Sequence, residues 1–184
     1  MSEPVVDRIL RLFRERGDAA YLGEAVSQTE HALQSAFAAE QASAGSQLIA
    51  AALLHDIGHL LHGLPEDCAE HGIDDRHEEL GHRFLLKHFG PAIAEPVRLH
   101  VAAKRYLCAV EADYLRILSP TSIRSLQLQG GPFSSEGVKS FAASPYCEVA
   151  VAVRRWDDIA KVPQLPTPGM EHYRAAITKC LQSA

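Results

Sequence analysis

Cysteine is scarce in this chain and never paired: Cys68, Cys108, Cys147 and Cys180 lie far apart, and none forms a Cys-x-x-Cys. Reduced thiols in a cytoplasmic protein are the expectation. Long apolar runs are also missing, so no stretch approaches the length of a membrane span. The opening Met1 to Arg16 reads as a charged amphipathic helix carrying Leu10, Leu12 and Phe13. It lacks the apolar core and small-residue cleavage site of a signal peptide. Positive charge is in deficit, with 18 Lys and Arg against 23 Asp and Glu and a net charge of −5. With no basic stripe, a nucleic-acid partner is not suggested, and no protein partner is evident. Period-2 alternation long enough for a strand is absent as well, which leaves an all-α reading.

What is present in excess is histidine, ten residues in 184. The length suits one domain, 1–184, with a sizeable core, and the apolar fraction of 47% is ordinary for a globular chain. Helical spacing and punctuation place helices at about Pro4 to Arg16, Gln28 to Ala42, Gln47 to Leu60, Arg76 to Phe89, Ala92 to Cys108 (interrupted or entered around Pro96), a sixth from near Glu111, Glu148 to Lys161 and Glu171 to Leu181. Ser27 followed by Glu30 is a capping-box pattern at the start of the second. Gly63 to Asp75 reads as a loop, and so does the polar, glycine-punctuated Ser119 to Phe133, whose side chains are candidates for substrate contact.

The chain is organised around Ala50-Ala51-Ala52-Leu53-Leu54-His55-Asp56-Ile57-Gly58-His59. A small-residue, apolar helical run delivers an adjacent His and Asp to the interior. Neighbouring helical positions point about 100° apart, so both reach one pocket only if it wraps around that helix end. Burying an ionised carboxylate beside an imidazole is costly unless something positive holds them. A metal ion such as iron, zinc or manganese is the simplest such partner. His31, His77, His100 and Asp157 are the candidates for further ligands, each from a different helix, as a site in a bundle core requires. Singly, each of these histidines reads more readily as a satisfied core or surface residue than as a ligand. Asp157 reads equally as a salt-bridge partner of Arg154 or Arg155, while Asp158 falls a position round, toward solvent. His82 rivals His77; the stripe Leu80, Gly81, Phe84 and Leu85 favours His77.

Taken together, His31, His55-Asp56 and Asp157 resemble the H…HD…D pattern of the HD-domain superfamily, and His77 and His100 match the two extra histidines of its two-metal members. The whole chain resembles the small HD-domain mixed-valent diiron oxygenases of the PhnZ type, which cleave organophosphonates, and more distantly myo-inositol oxygenase. The resemblance rests on Tyr21-x-x-Glu24, His31, His55-Asp56-x-x-His59, His77-x-x-x-Gly81, His100-x-x-x-Lys104, the SPTSIRSLQLQGGP loop and Arg155-Trp156-Asp157-Asp158.

The fold this implies is a single HD-domain helical bundle with a dinuclear site in its core. The resemblance further implies His31, His55, Asp56 and Asp157 on one iron, and Asp56, His77 and His100 on the other, as an Fe(II)/Fe(III) pair. His59, Lys104, Ser122, Ser125 and Gln129 would hold the phosphonate. Tyr21 and Glu24 would cover the open metal position until substrate arrives. A lysine, a histidine and a loop anchor without such roles are the plainer readings of Lys104, His59 and the Tyr21–Glu24 pair.

The implied reaction uses dioxygen to cleave the C–P bond of a small organophosphonate. The substrate would be 1-hydroxy-2-aminoethylphosphonate or its N-trimethyl analogue, and the products phosphate and glycine or glycine betaine. Two rivals stand beside it: a metal-dependent phosphohydrolase, and a non-catalytic HD module that binds a nucleotide or protein. The aromatic residues Tyr106, Tyr114, Phe133, Tyr146 and Trp156 would suit a trimethylammonium, but none is placed at that end by the sequence.

Overall fold

The capping box expected at Ser27 is formed: the Ser27 hydroxyl accepts from the Glu30 amide, and the Glu30 carboxylate accepts from the Ser27 amide. It opens the helix that carries His31. The structure, a computed structural model, describes residues 3–19, 21, 23–61 and 76–182. The loop expected from Gly63 to Asp75, with Cys68 and His71, lies outside the described residues, as does His62.

Within them the chain is helical and shows no strand. In order come α1 (Val5–Arg16), α2 (Gln28–Gln41), α3 (Ser46–Leu54), α4 (Ile57–Leu61), α5 (His77–Phe89) and α6 (Pro91–Val110). There follow α7 (Tyr114–Ile117), α8 (Pro120–Leu128), α9 (Ser135–Ala142), α10 (Cys147–Ile159) and α11 (Met170–Lys179). The apolar α3 lies at the centre, with Ala50 to Leu54 all buried, and packs on α2, α6, α10 and α11. α5 and α6 form an antiparallel pair beside it, and α10 lies across α2 and α6. One large apolar cluster, including Ile9, Phe13, Leu53, Ile57, Leu85 and Val97, fills the interior. Two smaller clusters, around Leu99 and Phe141 and around Leu107 and Leu126, fix the outer helices α7 to α9 to α6.

Three departures from the sequence reading matter to function. The third helix does not run through to Leu60; it stops at Leu54, and α4 restarts at Ile57. His55 and Asp56 are therefore the turn between two helices, which lets adjacent side chains reach one pocket. The supposed loop 119–133 is mostly the helix α8: Ser119 caps it by accepting from the Ser122 amide, and Pro120 occupies its first position. Helix α6 is continuous past Pro96, although a proline there forgoes one backbone bond and crowds the preceding turn; its packing on α5 and α10 holds it together.

Candidate metal centre

Asp56 is the meeting point of five elements. His31 comes from α2, His55 and Asp56 from the α3–α4 turn, His77 from the first position of α5, His100 from α6 and Asp157 from the last turn of α10. All six are buried.

Backbone carbonyls fix the imidazoles. His31 Nδ1 donates to Ala160 O at 2.8 Å, His55 Nδ1 to Ala52 O at 2.8 Å and His100 Nδ1 to Val97 O at 2.7 Å. A carbonyl can only accept, so each ring carries a proton on Nδ1 and turns Nε2 inward. The Nε2 atoms of His31 and His55 stand 3.0 Å apart, and those of His77 and His100 stand 3.3 Å apart. For His31 and His55, whose Nδ1 protons are both given to carbonyls, two nitrogen lone pairs so close call for a proton or a metal ion between them.

Asp56 divides its carboxylate between these pairs. Its Oδ2 lies 3.6 Å from His31 Nε2 and 3.4 Å from His55 Nε2; its Oδ1 lies 3.3 Å from His77 Nε2 and 3.4 Å from His100 Nε2. Asp157 Oδ1 adds a contact of 3.5 Å to His31 Nε2. Both Asp56 oxygens and Asp157 Oδ1 are buried without a hydrogen-bond partner. A proton satisfies one such contact, whereas a metal ion on each side of Asp56 satisfies them all. His31, His55 and Asp157 form one compact group able to hold a metal, and Asp56, His59 and His77 another. His100 faces the second group through its contacts to His77 and Asp56. Imidazole and carboxylate together, without thiolate, fit iron, zinc or manganese.

The electrostatics suit these side chains to holding a metal. Burial, reinforced by the neighbouring His55, pulls His31 down to about 4, and burial pulls His100 down to about 3. Both rings are thus neutral at pH 7, as ligation needs. Burial opposes a proton on His55 too, but the adjacent Asp56 carboxylate outweighs it and raises that ring. Burial works against ionised Asp157, yet the Arg154 guanidinium holds it far below the usual carboxylate range. Arg154 Nη1 lies 2.7 Å from Asp157 Oδ2, leaving Oδ1 free to face His31. Arg154 also pairs with Asp158, and Tyr114 OH bonds both. Asp158 therefore does not face solvent as its register suggested; its side chain is 6% exposed, because Tyr114 and Arg154 hold it.

The remaining expected residues border this core. Tyr21 is buried and stacks on His31 with ring centroids 3.8 Å apart. Burial, with the Asp56 and Asp157 charges, raises its phenol well above the ordinary value. His59 stacks on His77 at 4.0 Å. Lys104, 3% exposed, donates to Ser125 Oγ at 2.7 Å, and burial followed by the Arg154 charge pulls its ammonium down to about 7. Ser122 is buried on α8, and Gln129 caps that helix with a buried Oε1 that has no hydrogen-bond partner. Glu24 accepts from Ser119 Oγ. His82 instead pairs with Glu95 at 2.9 Å, so His77 is the histidine brought to the site. His172 pairs with Glu40 and His88 packs on Phe84, both away from it.

A buried H…HD…D set closed by helices is a family signature, and the HD domain family matches residues 29–160, a span holding all six core residues. The chain belongs to the HD domain family. Among curated relatives, hydroxymethylphosphonate dioxygenase of Gimesia maris is 42% identical over 96% of this chain and 88% of its own length. A 1-hydroxy-2-(trimethylamino)ethylphosphonate dioxygenase, glycine-betaine-forming, of Leisingera caerulea is 40% identical over 97% of this chain and 96% of its own. An uncharacterised protein of Acanthamoeba polyphaga mimivirus is 31% identical over 97% and 83%.

Two contributors to this HD site are not apparent from the sequence. Gly58 lets the His77 backbone approach: a Cβ there would lie 2.0 Å from His77 O. Of the two arginines expected as salt-bridge partners of Asp157, Arg154 makes the pair and orients the carboxylate, while Arg155 pairs with Glu111. Lys161 reaches Ser122 Oγ at 2.9 Å; its signal was the four-residue step from Asp157, repeated from His55 to His59 and from His100 to Lys104.

Proposed function

We propose that this HD-family chain is an iron- and dioxygen-dependent oxygenase that cleaves the C–P bond of a 1-hydroxyphosphonate and releases phosphate. The observation that carries the reading is the divided Asp56 carboxylate, one oxygen toward His31 and His55 and the other toward His77 and His100. His31, His55, Asp56 and Asp157 would hold one metal, and Asp56, His77 and His100 the second. Bound there as a mixed-valent Fe(II)/Fe(III) pair, iron would supply dioxygen activation and the electron transfer.

The two named relatives act on phosphonates that share a hydroxyl on C1. In such a substrate C1 rises to the carboxylate level, one dioxygen is fully reduced and no outside reductant is needed. R–CH(OH)–PO₃ and O₂ become R–COOH and phosphate. The protein's own part is binding and orientation. The ammonium of Lys104, the hydroxyls of Ser122 and Ser125, Gln129 and His59 would take the phosphonate through charge-assisted hydrogen bonds. That fixes C1 beside the metals. Tyr21, stacked on His31, excludes water from the empty site and moves off with Glu24 when substrate enters. The natural substrate is proposed as 1-hydroxy-2-aminoethylphosphonate or its N-trimethyl analogue, giving glycine or glycine betaine.

Anaerobic, iron-loaded protein mixed with these two compounds, hydroxymethylphosphonate and a simple phosphate ester tests the reading on admission of air. Oxygen-dependent phosphate release from a phosphonate, lost in His77→Ala and His100→Ala, is the expected result. Release from the ester without oxygen would make the protein a phosphohydrolase.

A further inference from the structure

The last turns of α10 bury three charged side chains within five residues: Arg154, Asp157 and Asp158. At steps of three and four they lie on one face of the helix. The guanidinium is spread over two carboxylates and a phenol. Its Nη1 lies 2.7 Å from Asp157 Oδ2, its Nη2 donates to Asp158 Oδ1, and its Nε donates to Tyr114 OH at 3.2 Å. The Tyr114 hydroxyl in turn donates to Asp158 Oδ2. Tyr114 belongs to α7 and is fixed in the apolar cluster of Leu107, Leu118 and Leu126. Both oxygens of Asp158 are therefore bound, one by Arg154 and one by Tyr114.

One carboxylate is enough to balance a buried guanidinium, and Asp157 already supplies it. A second buried carboxylate adds a negative charge whose desolvation is costly unless a further cation offsets it. The neighbouring ammonium groups donate elsewhere, Lys104 to Ser125 and Lys161 to Ser122. What remains is the metal position that Asp157 Oδ1 faces. Asp158 does not reach that position; it acts on it through Arg154. With Asp157 as its sole counter-charge, Arg154 would present a largely unshared positive charge to that carboxylate and to the metal beyond it. Asp158 takes up part of that charge from the far side of the guanidinium.

Arg155 supplies an internal contrast. It pairs with Glu111 at 2.5 Å, but the two side chains are 47% and 41% exposed. Water screens such a pair, whereas the Arg154 group lies where a charge is felt at longer range.

We infer that Asp158 is a positioning residue for the metal centre: it offsets Arg154, so that Asp157 keeps its donor strength toward the metal. The inference rests on the proposed reading of the site as an iron pair. Asp158 touches neither metal nor substrate in this account. Its buried charge tightens metal binding on the Asp157 side and favours the oxidised form of the pair.

Anaerobic potentiometric titration of iron-loaded protein tests this, beside manganese(II) titration of metal-free protein. The variants are Asp158→Asn, Asp158→Glu, Arg154→Met, the double variant Arg154→Met/Asp158→Asn, and Glu111→Gln as the exposed control. Asp158→Asn should keep both irons and make the first one-electron oxidation at least tenfold less favourable, a rise of about 59 mV in potential. It should also weaken one of two manganese ions about tenfold. Asp158→Glu should recover most of both effects, and Glu111→Gln should show neither. Arg154→Met should lower the potential, and the double variant should return toward the wild type. An unmoved potential in Asp158→Asn would overturn the inference. So would shifts of the same sign in Asp158→Asn and Arg154→Met, the pattern of a purely structural ion pair. Thermal melts identify any variant that fails to fold, and the contrast of Asp158→Glu with Asp158→Asn then carries the comparison. Protein that shows these shifts yet releases no phosphate from any phosphonate in air would sink the oxygenase reading while sustaining the role of Asp158.

Discussion

Gly58 shows how much of a dinuclear site can depend on a missing methyl group. A Cβ at this position would sit 2.0 Å from His77 O and 2.6 Å from His77 C, both backbone atoms that no rotamer change can move. Gly58→Ala should displace the start of α5 and with it the His77 ring. Metal analysis should then show one retained ion instead of two, with affinity on the His77 side reduced about 10- to 100-fold. Circular dichroism should remain helical, since α4 itself accepts alanine. Two fully retained ions would refute this account of Gly58.

Lys104 gives a pH signature at the same scale. Burial takes its ammonium from an ordinary 10.5 down to about 7 in the folded chain. Between those values the unfolded chain holds a proton that the folded chain has released, so the stability of metal-free protein should rise with pH across that window. Lys104→Met should remove that rise in urea titrations at pH 7 and 9 and should weaken phosphonate binding. The residue would then trade stability for function. In the wild type, phosphonate affinity should fall as pH climbs through 7, because the anion needs the charged ammonium.

At the scale of elements, the exit from α10 matters most. His31 and Gln34, neighbours on α2, hold Ala160 and Val162, so α2 and α10 are fastened where Asp157 and Lys161 project. Gln34→Leu fits the space but removes both hydrogen bonds to the Val162 backbone. The expected loss is about 1–3 kcal/mol in denaturant unfolding, with weaker metal binding as Asp157 loosens. A variant that unfolds and binds metal as the wild type does would show the clamp to be incidental.

Elements also show what could be read from the chain. The capping box at Ser27, the buried α3 and the helical character throughout follow from local chemistry, and His31, His55-Asp56, His77, His100 and Asp157 are legible as an ordered set. The break at His55-Asp56 is not, because the apolar pattern runs unbroken from Leu53 to Leu60 while the turn is imposed by what surrounds it. The helix α8 is legible at its start. Ser119-Pro120 is a helix-start signal, outweighed by the polar composition that follows it. Asp158 could not be placed at all from register, since its partner Tyr114 lies 44 residues earlier.

For the whole molecule, the two proposed metals would tie α2, the α3–α4 turn, α5, α6 and α10 to one carboxylate. Metal-free protein should therefore melt at a lower temperature than loaded protein, by an amount that grows with free metal concentration. The pH dependence has a definite sign. The Asp56 charge raises the His55 pKa despite burial, so a proton competes with metal there, and affinity should fall as pH falls through that raised value. Metal titrations at several pH values, followed by proton release, check this; pH-independent binding would contradict it.

The most direct test of the central claim is the stoichiometry of dioxygen consumed to phosphate released, measured on iron-loaded protein with a 1-hydroxyphosphonate. The account predicts one dioxygen per phosphate and no phosphate without oxygen. Phosphate released under anaerobic conditions, with no oxygen uptake on admission of air, would contradict it.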